Sequence, residues 1–184
     1  MTLSVGESQC EASRSGNAVA AGVPGEDPSG GALVLGIGNI LLSDDGAGVK
    51  LVAQLRAQLG AQQATFIDGG TLGFTLLSYV EAADSMLVVD AADLDSAPGT
   101  IALFEGVAMD RFLASARRRT VHEVGLIDLL DMARLQGCLP FRRALLCIQP
   151  ARIDWSEALS EPVEAAFCGA IEQARALLER WRIG

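Results

Sequence analysis

The chain has 184 residues, half of them hydrophobic but only 5% aromatic, and a formal net charge of -9. A chain of that length folds as one domain that removes roughly 70% of its unfolded surface from water, around a core of Ala, Val, Leu and Ile. The negative charge disfavours nucleic acid and anionic membranes, which call for clustered Lys and Arg, and no apolar stretch approaches the roughly 20 residues of a membrane span. Cys10, Cys138, Cys147 and Cys168 form no C-x-x-C pair, so a zinc knuckle, a thioredoxin-like motif and a secreted disulfide framework are disfavoured and a reducing cytoplasm is expected.

Residues 1-30 are rich in Gly, Ser, Pro and Glu, without a basic start, an apolar run or a cleavage-site pattern. They read as a disordered extension rather than a signal peptide, and the folded domain is expected to occupy 31-184. Ala32-Leu33-Val34-Leu35 is an apolar run closed by Gly36-Ile37-Gly38-Asn39, a buried strand entering a tight loop. Ser43 is placed to cap a helix over 44-59, with Asp44 and Asp45 in its first turn and Gly48, Val52, Leu55 and Leu59 on its apolar face.

Thr65-Phe66-Ile67 predicts a second strand ending in Asp68-Gly69-Gly70, joined to the first by a right-handed parallel crossover. Leu72 to Val80 reads as a helix, and Met86-Leu87-Val88-Val89 as a third strand ending in Asp90. Between Asp90 and the β-like run Thr100 to Phe104, the segment containing Pro98-Gly99 is too short for a crossover helix, so that strand is expected antiparallel at the sheet edge. The basic run Arg117-Arg118-Arg119 reads as a solvated loop. A helix over 124-136 closed by Gly137, a last buried strand over 144-148 and an amphipathic helix near 161-182 complete the chain. The expected fold is an α/β three-layer αβα sandwich: a mixed, mostly parallel sheet of about five strands with helices on both faces.

In open α/β sheets ligands bind outside the carboxyl ends of the strands. That rule brings Asp45, Asp68 and Asp90 to one rim. His122, the one histidine, lies in the connection before helix 124-136. Two carboxylates and an imidazole at a rim suit a divalent transition metal with open positions. Structural uses stand beside that reading. Asp44 and Asp45 can serve a helix N-terminus, Asp68 can bond the amides of Gly69 and Gly70, and Asp90 and His122 can act as caps.

Other signatures fail. The Gly36-x-Gly38 loop lacks the third glycine of a dinucleotide fingerprint, and there is no phosphate-loop lysine, no H-E-x-x-H and no G-x-S-x-G. Cys147, inside an apolar run, reads as core rather than as a nucleophile.

Six motifs, in order, cover nearly all of 32-182: Leu33-Val34-Leu35-Gly36-Ile37-Gly38-Asn39-Ile40-Leu41-Leu42-Ser43-Asp44-Asp45-Gly46-Ala47-Gly48-Val49, Asp68-Gly69-Gly70-Thr71, Val88-Val89-Asp90-Ala91, Pro98-Gly99-Thr100, His122-Glu123-Val124-Gly125-Leu126 and Ile148-Gln149-Pro150. Together they resemble the hydrogenase maturation proteases, which remove a C-terminal extension from the nickel-iron hydrogenase large subunit. The resemblance implies an aspartic-type endopeptidase whose metal-contacting positions fall on Asp45, Asp90 and His122, with Asp68 beside them in the catalytic rim. The family often carries Glu at the Asp45 position, one methylene longer. The nickel implied is carried by the substrate, the large-subunit precursor, and reports that metal insertion is complete. A cytoplasmic protein, monomeric when free, is expected. The alternative is a non-enzymatic checkpoint factor of the same fold that binds the nickel-loaded large subunit.

Overall fold

The computed structural model describes residues 31-70, 74-116 and 121-183. The expected disordered extension, the start of the expected helix at Leu72 and the basic run at 117-119 fall outside the described residues or partly so.

Four apolar runs form parallel strands: β1 (Ala32–Ile37), β2 (Thr65–Gly70), β3 (Ser85–Ala91) and β5 (Arg142–Ile148). The fifth, β4 (Ile101–Glu105), pairs with β5 and runs antiparallel, giving the order β2-β1-β3-β5-β4. It is thus the antiparallel edge strand that the short connection before it required. β3, between β1 and β5, is buried through Asp90, which explains its unbroken apolar sequence.

Helices cover both faces. Alternating side chains divide each strand between two cores. Val34, Leu87, Val89, Leu146 and Ile148 pack with α1 (Ala47–Leu59) and α5 (Glu161–Ile183) through Leu51, Leu55, Phe167 and Leu177. Leu33, Leu35, Met86, Val88 and Leu145 face the other way, onto α2 (Leu77–Ala82), α3 (Val107–Ala116) and α4 (Val121–Leu135) through Val80, Met109, Leu113, Leu129 and Leu130. Full burial of one such Leu or Val side chain contributes about 1.5–3 kcal/mol. Cys147 lies in this second core. Long α5 follows its macrodipole, with Glu161 and Glu164 in the first turn and Arg180 and Arg182 in the last. Among the described residues no helix is long and apolar enough to cross a membrane.

Three local expectations change. The helix expected over 44-59 is a 3-10 turn, Ser43–Gly46, followed by α1, and Ser43 makes no cap; its φ is 44° and its hydroxyl bonds to a distant loop instead. Helix α3 was not expected at all. Helix α4 begins at Val121, so His122 stands in its first turn rather than in the connection before it.

Candidate active site

The loops that follow β1, β2, β3 and β5 form the carboxyl rim of the sheet. Glycines let the first of them fold tightly against the strands. A Cβ on Gly48 would press into the carbonyl oxygens of Val89 and Ile37, so only glycine lets the start of α1 sit on the ends of β1 and β3. Gly38, at φ 120°, lies against the carbonyl oxygen of Asp45 and donates its N–H to Gly70 O at 3.0 Å. Its geometry is open to glycine and strained for other residues.

This packing carries Asp45, in the 3-10 turn, against β3. Asp45 is buried, and its Oδ2 accepts the Asn39 N–H at 2.8 Å. Asn39 in turn accepts the Leu41 N–H on Oδ1 at 3.0 Å, so the loop holds its own carboxylate in place.

Asp90 is the penultimate residue of β3, paired with Cys147 of β5, and is also buried. Gln149 braces the loop that follows it. Gln149 Oε1 accepts the Leu94 N–H at 2.6 Å, and Gln149 N–H donates to Thr100 O at 2.8 Å. Two buried carboxylates, Asp45 and Asp90, therefore stand at one rim on neighbouring segments. Burial of a charged group is costly unless it is hydrogen-bonded or bound to a cation, so such a pair is suited to meet a metal or a polarised substrate.

Asp68 occupies the same rim under different conditions. It is exposed, sits in β2 two strands away from β3, and accepts the Gly70 N–H at 2.9 Å, the turn bond its sequence allowed. His122 lies in the first turn of α4, and its side chain is outside the described residues. Among the described residues no three His, Cys, Asp or Glu side chains gather as a metal cluster.

Asp44 is the residue whose work the sequence did not reveal. Rather than serving a helix terminus, it is fully buried and accepts four hydrogen bonds: from the amides of Ala151 (2.9 Å), Arg152 (3.1 Å) and Ser160 (2.6 Å), and from the Ser160 hydroxyl (2.8 Å). Burial alone would push its carboxyl up, but these bonds, led by those from Ser160, outweigh it and hold the group below the ordinary range. Ser43 adds to the clamp: its hydroxyl donates to Arg152 O and accepts from the Asp154 N–H. The adjacent aspartates thus divide, Asp44 fastening the 149-160 loop and Asp45 facing the rim. No local pattern marks that difference, because the partners of Asp44 lie 107 to 116 residues away.

A family model described as hydrogenase maturation protease matches residues 49-176. The chain is 35% identical to the hydrogenase expression/formation protein HoxM of Cupriavidus necator over 151 residues, 81% of this chain and 74% of that one. It is 32% identical to the hydrogenase 2 maturation protease of Escherichia coli, covering 79% of this chain and 89% of that one. Among solved structures it is similar to the hydrogenase maturating endopeptidase HybD from E. coli, with a TM-score of 0.73, 30% identity and coverage of 81% and 92%.

Proposed function

The chain belongs to the hydrogenase maturation protease family, and from that premise we propose that it is an aspartic-type endopeptidase that removes the C-terminal extension of a nickel-iron hydrogenase large subunit once nickel is inserted. The observation that carries this reading is the burial of Asp45 and Asp90 at the carboxyl rim, Asp45 held by the Asn39 amide and Asp90 carried there by β3. The nickel is part of the substrate. Asp45, Asp90 and His122 are the side chains placed around it, and Asp68, exposed on the flank of the rim, completes the catalytic set.

Peptide hydrolysis adds water across the C–N bond: the water oxygen attacks the carbonyl carbon, one proton reaches the leaving amine, and the amine departs. Of the two buried carboxylates, one accepts the proton of the attacking water while the other, with His122, holds the substrate's metal. No serine or cysteine nucleophile enters this scheme, in keeping with Cys147 being locked in the core. The enzyme acts in the cytoplasm and is monomeric when free.

The test mixes purified protein with its cognate large-subunit precursor, nickel-loaded or nickel-free, and weighs the products by intact mass, with Asp45→Asn and His122→Ala as controls. Nickel-dependent loss of a C-terminal peptide, abolished by both substitutions, is expected. A precursor that stays full length while forming a stable complex overturns the peptidase reading in favour of a non-enzymatic checkpoint factor.

A further inference from the structure

Four large apolar side chains are left in solvent on two loops at this rim: Ile40 (44% exposed) and Leu41 (45%) after β1, and Ile153 (55%) and Trp155 (83%) after β5. The loops are joined. Leu42 and Ser156 form a parallel bridge, with the Ser156 N–H donating to Leu41 O at 3.1 Å and the Ser43 N–H donating to Ser156 O. Leu41 and Trp155 each stand one residue before the bridge, on the two segments it joins. Exposed apolar residues are ordinary when scattered, but adjacent ones on a rigid support mark a contact surface.

The support is rigid. The Asp44 clamp ties Ala151, Arg152 and Ser160 to the 3-10 turn, and Lys50 Nζ donates to Glu157 O. The Asp44 carboxylate and the Lys50 ammonium are thus both committed to holding this loop. A preformed surface of this kind loses little conformational freedom on binding.

Resting on the peptidase reading above, we propose that Ile40, Leu41, Ile153 and Trp155 form a docking platform for the polypeptide of the substrate, seating an apolar segment next to its metal-bearing site. Continuity with the candidate active site argues for that occupant: Asn39, whose amide fixes the Asp45 carboxylate, immediately precedes Ile40 in the same loop. The platform and the Asp45 carboxylate are therefore borne by one continuous loop. A second copy is the poorer occupant, because two chains each carrying a net charge of -9 repel.

The platform is tested by binding and by turnover. The nickel-loaded precursor is titrated against Asp45→Asn protein with and without the added pair Ile153→Ser and Trp155→Ser. Phe141→Ser, an exposed apolar residue at the opposite end of β5, serves as control, and thermal melts show that each variant is folded. Binding should weaken by about tenfold or more for the platform pair, as expected for the loss of a buried aromatic anchor, and stay unchanged for Phe141→Ser. In the otherwise wild-type enzyme the same pair should raise KM by a similar factor with kcat nearly unaltered. Unchanged binding with cleavage intact refutes the platform and leaves the peptidase reading standing. Platform-dependent binding without any cleavage retains the platform and removes the peptidase. A wild-type dimer that the platform pair converts to monomer, by light scattering, assigns the surface to self-association and overturns the proposal.

Discussion

Replacing Asp44 by Asn should cost stability, whereas the same change one residue later should cost activity. The Asp44 carboxylate accepts three amides and a hydroxyl. An Asn that keeps its one oxygen on Ser160 N–H turns an NH2 toward the amides of Ala151 and Arg152, so two buried donors lose their acceptor. A hydrogen bond to a charged group contributes about 1.5–3 kcal/mol, and an abandoned donor costs about 1–3 kcal/mol. Allowing the loop to relax toward water, the net loss is about 3–5 kcal/mol. For a chain of this size each kcal/mol moves Tm by about 2–4 °C, which places the variant about 10 °C below wild type in a circular dichroism melt. Asp45→Asn keeps an oxygen for the Asn39 amide and should melt within about 3 °C of wild type while losing cleavage. The acid limb supplies a second readout. Because the Asp44 carboxyl is held below its ordinary range, its contribution is complete above the unfolded value near pH 4 and is lost as pH falls through the lower folded value. Below about pH 4 the wild type should therefore lose stability more steeply than Asp44→Asn. An Asp44→Asn protein that melts with wild type, or an Asp45→Asn protein that unfolds early but still cuts, would refute the division of labour between the two aspartates.

Two further substitutions probe the frame of the site. Gly48→Ala drives a Cβ into the carbonyl oxygens of Val89 and Ile37, backbone atoms that cannot swing aside; a loss of about 3 kcal/mol is expected in urea unfolding, and a midpoint equal to wild type would show that α1 does not depend on that approach. On the other face, Arg143 of β5 grips Asp110 of α3 through two bonds, Nε to Oδ1 at 3.0 Å and Nη2 to Oδ2 at 2.5 Å. Arg143 chiefly holds the Asp110 carboxyl below its ordinary range, against the opposing effect of burial. A double-mutant cycle between Arg143→Ala and Asp110→Ala should give a coupling of about 1–2 kcal/mol at neutral pH, discounted for partial exposure, that fades as pH falls below the ordinary carboxylate range. A coupling near zero would reduce the pair to a surface contact.

The sheet was legible because its four parallel strands are written as apolar runs, three of them closed by Gly or Asp and the last by Gln149-Pro150. Even the antiparallel edge followed from the short connection ahead of Thr100. Asp45, Asp68 and Asp90 could be placed at one rim by topology alone. What escaped was long-range or weakly patterned. Helix α3 carries its stripe in Met109, Phe112 and Leu113, three residues between a strand and a basic run, too short a stripe to stand out although the spacing is helical. Ser43 and Asp44 look like helix starters in any local window; their work is set by residues beyond 150, which no local rule can reach. The 3-10 turn replaced the expected first helical turn because Gly48 seats α1 directly on the strand ends, leaving the preceding residues to wrap around them.

The strand order has a consequence for how the chain is made. β4 leaves the ribosome before β5, its one sheet neighbour among the described residues, so that pairing waits until residues 142-148 follow. The clamp on Asp44 waits longer still, for residues 151-160. Until then the growing polypeptide exposes one side of β3 and an unmatched edge, the kind of surface that invites aggregation. Assembly is therefore a late event involving almost the whole chain, slowed by contacts of large sequence separation. A nascent protein that already contains Asp45 and Asp90 still lacks the loop that fastens Asp44 beside them, until residues 151-160 follow.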